Sequence, residues 1–139
     1  MSKTQRRKTI YSYKLHPSMR DSICFYCGGL WESKDHIPPI SYAEYVEEEN
    51  RLLVRSCILC NTLLNKRSIL TILARCDYLL IKYNKRFKRL LEMPLWKPTE
   101  IEEMEGKLKR QIIQAIKKKA YIEGKILFIQ KTIEALQGY

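Results

Sequence analysis

At 139 residues the chain has the length of one domain with room for a helical extension, since a domain commonly takes about 100–200 residues. Hydrophobic residues make up 45%, enough for a core, and 26 Lys and Arg against 15 Asp and Glu leave a net charge of +11, an excess that favours polyanionic partners through release of their counterions. No run approaches the about 18 apolar residues of a membrane span, and the polar, basic start has no apolar stretch behind it as a secretory signal would. The expectation is a cytoplasmic protein with no membrane partner.

Residues 1–20 carry Lys3, Arg6, Arg7, Lys8, Lys14 and Arg20 with no acid among them. They read as a poorly ordered basic arm whose Arg6, Arg7 and Lys8 contact phosphate. His16-Pro17 reads as loop. Residues 21–70 form the next unit, organised by Cys24-Phe-Tyr-Cys27 and Cys57-Ile-Leu-Cys60. Five cysteines is an odd number, unsuited to a disulfide framework, and a Cys-x-x-Cys pair in a reducing compartment reads as metal-binding or redox. A thioredoxin-type redox site needs a βαβ setting, which this sequence lacks. Two pairs give four thiolates for one tetrahedral Zn²⁺ with no open position, hence a structural metal. Gly28-Gly29 suits a tight knuckle whose backbone amides face the thiolates. Residues 30–37 alternate weakly as a strand that Pro38-Pro39 must end, because proline cannot donate to a ladder. Ser41–Asn50 reads as a short helix capped by Ser41 with Glu44 three residues on, and residues 51–55 as a short strand.

Residues 71–139 are expected to be a helical extension. Ile69, Leu73, Cys76, Leu80, Tyr83, Phe87 and Leu91 recur at spacings of three and four, which predicts one helix from Asn61 to Leu91 with Cys76 in the core. Lys82, Lys85, Arg86, Lys88 and Arg89, interleaved with Tyr83 and Phe87, suit a DNA backbone. Pro94 and Pro98 break the pattern. A second helix is expected from Thr99, with Glu102 completing a capping box. Ile101, Leu108, Ala115, Ile122, Ile129 and Leu136 fall seven apart; Ile112, Ile126 and Ile133 fill a second column that Glu105 and Lys119 interrupt. These columns offer core, or a homodimer seam through the C-terminal helix. Gly106 and Gly124 weaken the helix, each by about 1 kcal/mol relative to Ala, and a break is expected near Gly124.

Asp35-His36-Ile37-Pro38 between the two cysteine pairs, with Asn61 directly after Cys60, resembles the HNH endonucleases, the ββα-metal superfamily, in their four-cysteine zinc form. The resemblance is closest to endonuclease VII-like and small phage and restriction members, and it covers less than a third of the chain. It implies a zinc-held β-hairpin packed on a helix with a divalent ion at the junction; with the two long helices read above, the chain is expected to be α+β and mostly helical. It further implies a bacterial or phage-encoded enzyme that hydrolyses DNA phosphodiester bonds. By position, His36 matches the general base, and Asp35 and Asn61 match ligands of a catalytic divalent ion. Asn65, one helical turn beyond Asn61, is a candidate further ligand. So oxygen-rich a set suits Mg²⁺ or Mn²⁺. The final histidine of the family name is missing, and Asn50 is the one candidate for its middle asparagine. Lys66 and Arg67 lie at the mouth of the same helix, where a flanking phosphate would sit. The alternative is a zinc-stabilised DNA-binding or regulatory protein that cuts nothing, in which Asn61 merely caps a helix.

Overall fold

The chain is α+β and mostly helical in the computed structural model, which describes residues 11–17, 22–64 and 69–138. Arg6, Arg7, Lys8, Asn65, Lys66 and Arg67 lie outside the described residues. Three strands form the sheet: β1 (Lys14–Leu15), β2 (Ser33–Ile37) and β3 (Leu52–Ser56), in the order β1-β3-β2. β2 runs antiparallel to β3 and β1 runs parallel to it, so β3 is central. The register pairs Ser33 with Ser56, Asp35 with Val54 and Ile37 with Leu52. Side chains alternate across a strand, and Ile37, Val54 and Ser56 are buried. Ser33 and Asp35 therefore share the inner face, while Lys34, His36, Leu53 and Arg55 share the outer one. Pairing stops at Ile37, directly before Pro38, for the reason foreseen. The strand expected over 30–37 is shorter, with only an isolated bridge from Leu30 to Ile23 ahead of it.

Within residues 11–17 the first strand replaces the poorly ordered arm that was expected. Lys14 and Leu15 pair with Leu52 and Leu53, and the Tyr13 hydroxyl donates to the Pro38 carbonyl at 2.6 Å. Ser41–Asn50 is not one capped helix. It is two short 3-10 helices, Ile40–Tyr45 and Glu48–Asn50, neither with a side-chain cap. The Arg51 guanidinium holds them by donating to the carbonyls of Ala43 and Val46.

The helices are α1 (Ile58–Leu64), α2 (Ile72–Arg86), α3 (Lys88–Leu91), α4 (Pro98–Glu103) and α5 (Gly106–Gln137). The single helix foreseen from Asn61 to Leu91 is thus interrupted. Thr71 starts a new helix by accepting a hydrogen bond from the Ala74 amide, so Ile69 and Leu70 fall before it. Thr99 is not a cap, since Pro98 already occupies the first turn behind Lys97. The break falls at Met104–Glu105, ahead of Gly106 in the left-handed region (φ +60°), and α5 runs unbroken through Gly124.

One core cluster joins the four-cysteine segment to the extension. Cys24, Tyr26, Val54, Cys60 and Leu64 pack with Cys76, Leu79 and Tyr83 of α2 and with Ile122 and Ile129 of α5. Burying each of those isoleucines stabilises the fold by about 1.5–3 kcal/mol. The middle of the heptad stripe is therefore covered by α2 of the same chain. Lys119, the interruption in the second column, donates to the Met93 carbonyl at 3.1 Å. Among the described residues no helix is long and apolar enough to cross a membrane.

Candidate metal centre and active site

The two knuckles, one before β2 and one after β3, bring four thiols together at the open end of the hairpin. Cys24, Cys27, Cys57 and Cys60 are all buried, and their sulfurs lie within 4.8 Å of one another. Cys27 Sγ and Cys57 Sγ are 3.6 Å apart. Four sulfurs at about 2.3 Å from one Zn²⁺ lie about 3.8 Å from each other, so the donor set is compatible with a structural zinc. Backbone amides face the sulfurs as expected: Gly29 N–H donates to Cys27 at 3.4 Å and Cys60 N–H to Cys57 at 3.3 Å. Phe25 N–H donates to the Arg55 carbonyl at 2.8 Å, fixing the first knuckle to β3.

Two groups from outside the motif reach the cluster. Tyr83 Oη of α2 lies 3.2 Å from Cys60 Sγ, and Lys125 Nζ of α5 donates to Cys27 Sγ at 3.0 Å. A zinc tetrathiolate carries two net negative charges, and Lys125 offsets one of them. Burial works against the Lys125 charge, but the bond to Cys27 and the charges of Cys27 and Cys57 outweigh it and raise its pKa. Hydrogen bonding with Cys24 lowers Cys57; the bonds from Cys24, Cys57 and Cys60, with that of Lys125, lower Cys27 as well. Hydrogen bonding within the cluster raises Cys24 and Cys60, so metal binding must displace their protons. Cys76, by contrast, is pushed up to about 12 by burial and is an inert core thiol.

Asp35 and His36 stand next to each other on β2 and point to opposite faces. His36 lies on the outer face, partly exposed, with the Tyr13 ring edge-on at 4.8 Å. Burial lowers its pKa, the Asp35 charge opposes this and Lys34 adds to it, so the imidazole is neutral at pH 7. Asp35 points inward and is engaged from two sides. Arg75 of α2 donates to Oδ1 at 2.8 Å and to Oδ2 at 3.0 and 3.2 Å, and the buried Tyr26 hydroxyl donates to Oδ2 at 2.5 Å. Asn61, in the first turn of α1, is turned to the open end of the hairpin. Its Oδ1 accepts from Ser56 Oγ at 2.9 Å and its Nδ2 donates to Ser33 Oγ.

This arrangement does not fit a divalent ion shared by Asp35 and Asn61. Both Asp35 oxygens already face a guanidinium. Asn61 is engaged by Ser56 and Ser33 instead, two strand positions along β2 from Asp35. Asn50 ends a 3-10 helix and is exposed.

Four residues of the site were not found from the sequence: Tyr26, Arg75, Tyr83 and Lys125. The signal for the two cations was present. Arg75 falls four residues before Leu79 and eight before Tyr83, and Lys125 falls between Ile122 and Ile129, each on an apolar face. A cation on a buried face requires a buried counter-charge.

A separate basic groove of about 550 Å³ opens where α2 meets α3. Lys85, Arg86, Lys88 and Arg89 line it around Phe87, and α5 adds Lys118. Arg86 and Lys118 both approach the Phe87 ring, at 5.9 and 5.8 Å from its centre. Lys82 is packed over Tyr78 instead, 5.5 Å from that ring's centre. No protein family, curated protein or solved structure matches the chain.

Proposed function

We propose that the chain is an HNH-type endonuclease that hydrolyses phosphodiester bonds of DNA. The observation that carries this reading is the closed four-thiolate centre, which clamps β2, β3 and α1 while leaving His36 neutral on the outer face. A neutral imidazole can take the proton of an attacking water at neutral pH. The water oxygen then bonds to phosphorus as the bond to the 3′ oxygen breaks; that oxygen leaves as an alkoxide and takes a proton from solvent, and His36 releases the proton it took to solvent. Mg²⁺ or Mn²⁺ would supply Lewis-acid stabilisation of the leaving oxygen; Asp35, held as it is by Arg75, offers such an ion no place in this conformation. The groove at Phe87 supports a DNA partner, because five cations face one open surface and no carboxylate among the described residues lines it. The test is incubation of the zinc-loaded chain with supercoiled plasmid, with and without Mg²⁺ or Mn²⁺, for wild type and His36→Ala. Cleavage by wild type alone supports the reading, and equal cleavage by both rejects His36 as the base.

A second reading is favoured by one observation. The Asp35–Arg75 pair makes the inner face self-sufficient without any ion, as in a zinc-stabilised DNA-binding protein that cuts nothing. Wild type that binds DNA and never cuts it, in any divalent ion, selects this alternative.

A further inference from the structure

The outer face of the sheet sets two cations directly opposite each other. Lys34 of β2 is paired in register with Arg55 of β3, and the next pair along that face is His36 with Leu53. Like charges in directly opposed positions destabilise an antiparallel pair. Lys34 is exposed, and the half-buried Arg55 lays its guanidinium over the Trp31 ring, with Cζ 5.0 Å from the centre. Trp31 is itself 37% exposed. A guanidinium seated on an indole is restricted before any ligand arrives. Asp35 lies between Lys34 and His36 in sequence, but its carboxylate is turned to the inner face and neutralised by Arg75, so it does not stand among these cations. Glu32 stands two positions before Lys34, on the side away from His36.

His36 is two positions from Lys34, about 6.6 Å along β2, within reach of adjacent phosphates of one nucleic-acid strand. The Lys34 charge is felt there, since it adds to the lowering of the His36 pKa. At the other end of His36 the Tyr13 ring stands edge-on, with its hydroxyl bonded to the Pro38 carbonyl. A strand that reaches His36 therefore meets Tyr13 at one end and the two cations at the other. We propose that Lys34 and Arg55 form a phosphate subsite on the outer sheet face, holding the DNA phosphate next to the one at His36. What happens at His36 rests on the nuclease reading; binding of the strand does not. The guanidinium offers paired N–H donors to phosphate oxygens, and the ammonium offers a compact charge. Such a contact carries no sequence information and fixes where along the strand His36 falls. It holds a neighbour of the reacting phosphate equally before and during the reaction, so it lowers KM and leaves kcat alone.

The experiment measures binding of a fluorescent DNA duplex to the zinc-loaded full chain over a range of salt, with no divalent ion added, for wild type, Lys34→Gln, Lys34→Arg and Lys34→Gln/Arg55→Gln. Lys34→Gln should lower the slope of log affinity against log salt by about 1, Lys34→Arg should keep the wild-type slope, and the double variant should lower it by about 2. Lys34 is exposed, so its variants should keep the melting temperature and zinc content of wild type. An unchanged slope in Lys34→Gln overturns the proposal, as does a double variant that loses no more than Lys34→Gln alone. Should the double variant fail to fold, the Arg55 side-chain Nε–H resonance of wild type decides: a shift on adding the duplex supports the subsite, and no shift overturns it. Plasmid cleavage is scored separately. Lys34→Gln should raise KM at unchanged kcat, and a fall in kcat at unchanged KM overturns the positioning role. If Lys34→Gln loses the slope but no chain cuts DNA, the subsite stands and the nuclease reading is removed.

Discussion

Gly28→Ala tests how α5 is seated on the metal centre. Gly28 has φ +76°, and a Cβ built there would lie 2.7 Å from Phe128 Cδ2 and 2.8 Å from Cε2. The left-handed backbone costs an L-residue about 1–2 kcal/mol, and forcing the ring aside costs about 1–3 kcal/mol more. The total is about 2–5 kcal/mol. With an unfolding entropy of about 2.1 cal/mol/K per residue over 139 residues, that lowers Tm by about 7–17 °C. Thermal melts of the zinc-loaded protein measure it, and a double-mutant cycle with Phe128→Ala divides the two causes. In the Phe128→Ala background the steric part disappears and Gly28→Ala should cost only about 1–2 kcal/mol, a coupling of about 1–3 kcal/mol. A coupling near zero would mean that Phe128 does not lie on the knuckle and that the seating of α5 described above is wrong.

Elemental analysis should find one Zn²⁺ per chain, and Cys57→Ser or a strong chelator should loosen α2 and α5 along with the hairpin, seen as lost near-ultraviolet dichroism, because Tyr83 and Lys125 rest on the cluster; folded protein without zinc refutes this. His36→Ala should reduce plasmid cleavage about 10²–10⁴-fold with melting temperature and zinc content unchanged. Wild-type cleavage should be level at neutral pH and fall on acidification with a midpoint below 6.5, since burial lowers His36; a midpoint above 6.5 contradicts that environment. The same shift gives stability a sign: the unfolded chain takes the proton first, so His36 makes folding less favourable as pH falls below 6.5. DNA affinity should drop steeply with salt, and Lys118→Gln should reduce the slope of log affinity against log salt by about 1 if it meets a phosphate; an unchanged slope removes Lys118 from the interface.

The paired cysteines were legible because metal chemistry fixes residue type and spacing together. Pro38 was legible as a strand end because it lacks a donor. The interruption before Thr71 was not, since the apolar period of three and four continues through Ile69 and Ile72 although Ile69 and Leu70 stand outside the helix that begins at Ile72. Periodicity reports which side of a segment is apolar, not whether the helix is continuous. Gly106 and Gly124 make the same point: both weaken a helix intrinsically, yet packing of Ile122 and Ile129 carries α5 through Gly124, and the break falls at Met104–Glu105, directly ahead of Gly106. The apolar columns fitted a seam between chains or within one, because one stripe looks alike to either partner; α2 takes the middle of it here. The contacts of Asp35 were the least legible. The motif names the residue, but Arg75 arrives from 40 positions away, and only its placement on a buried face hinted at a partner.

Asp35 and His36 are neighbours in sequence and opposites in the sheet, and that separates what their variants report. His36 makes its contacts at the outer surface, so removing it takes away little packing. Asp35 compensates a nearly buried guanidinium, and deleting one partner of such a pair typically costs about 3–5 kcal/mol because the other charge is left uncompensated. Loss of activity in Asp35→Ala would therefore be what a lost metal ligand produces and equally what a disordered inner face produces. Asp35→Asn with Arg75→Met removes both charges and restores balance at the site. Only in that background does the presence or absence of cleavage speak to what the carboxylate does in the reaction. The tight pairing that makes Asp35 a strong anchor of α2 to the hairpin is the same feature that hides its chemistry from a single substitution.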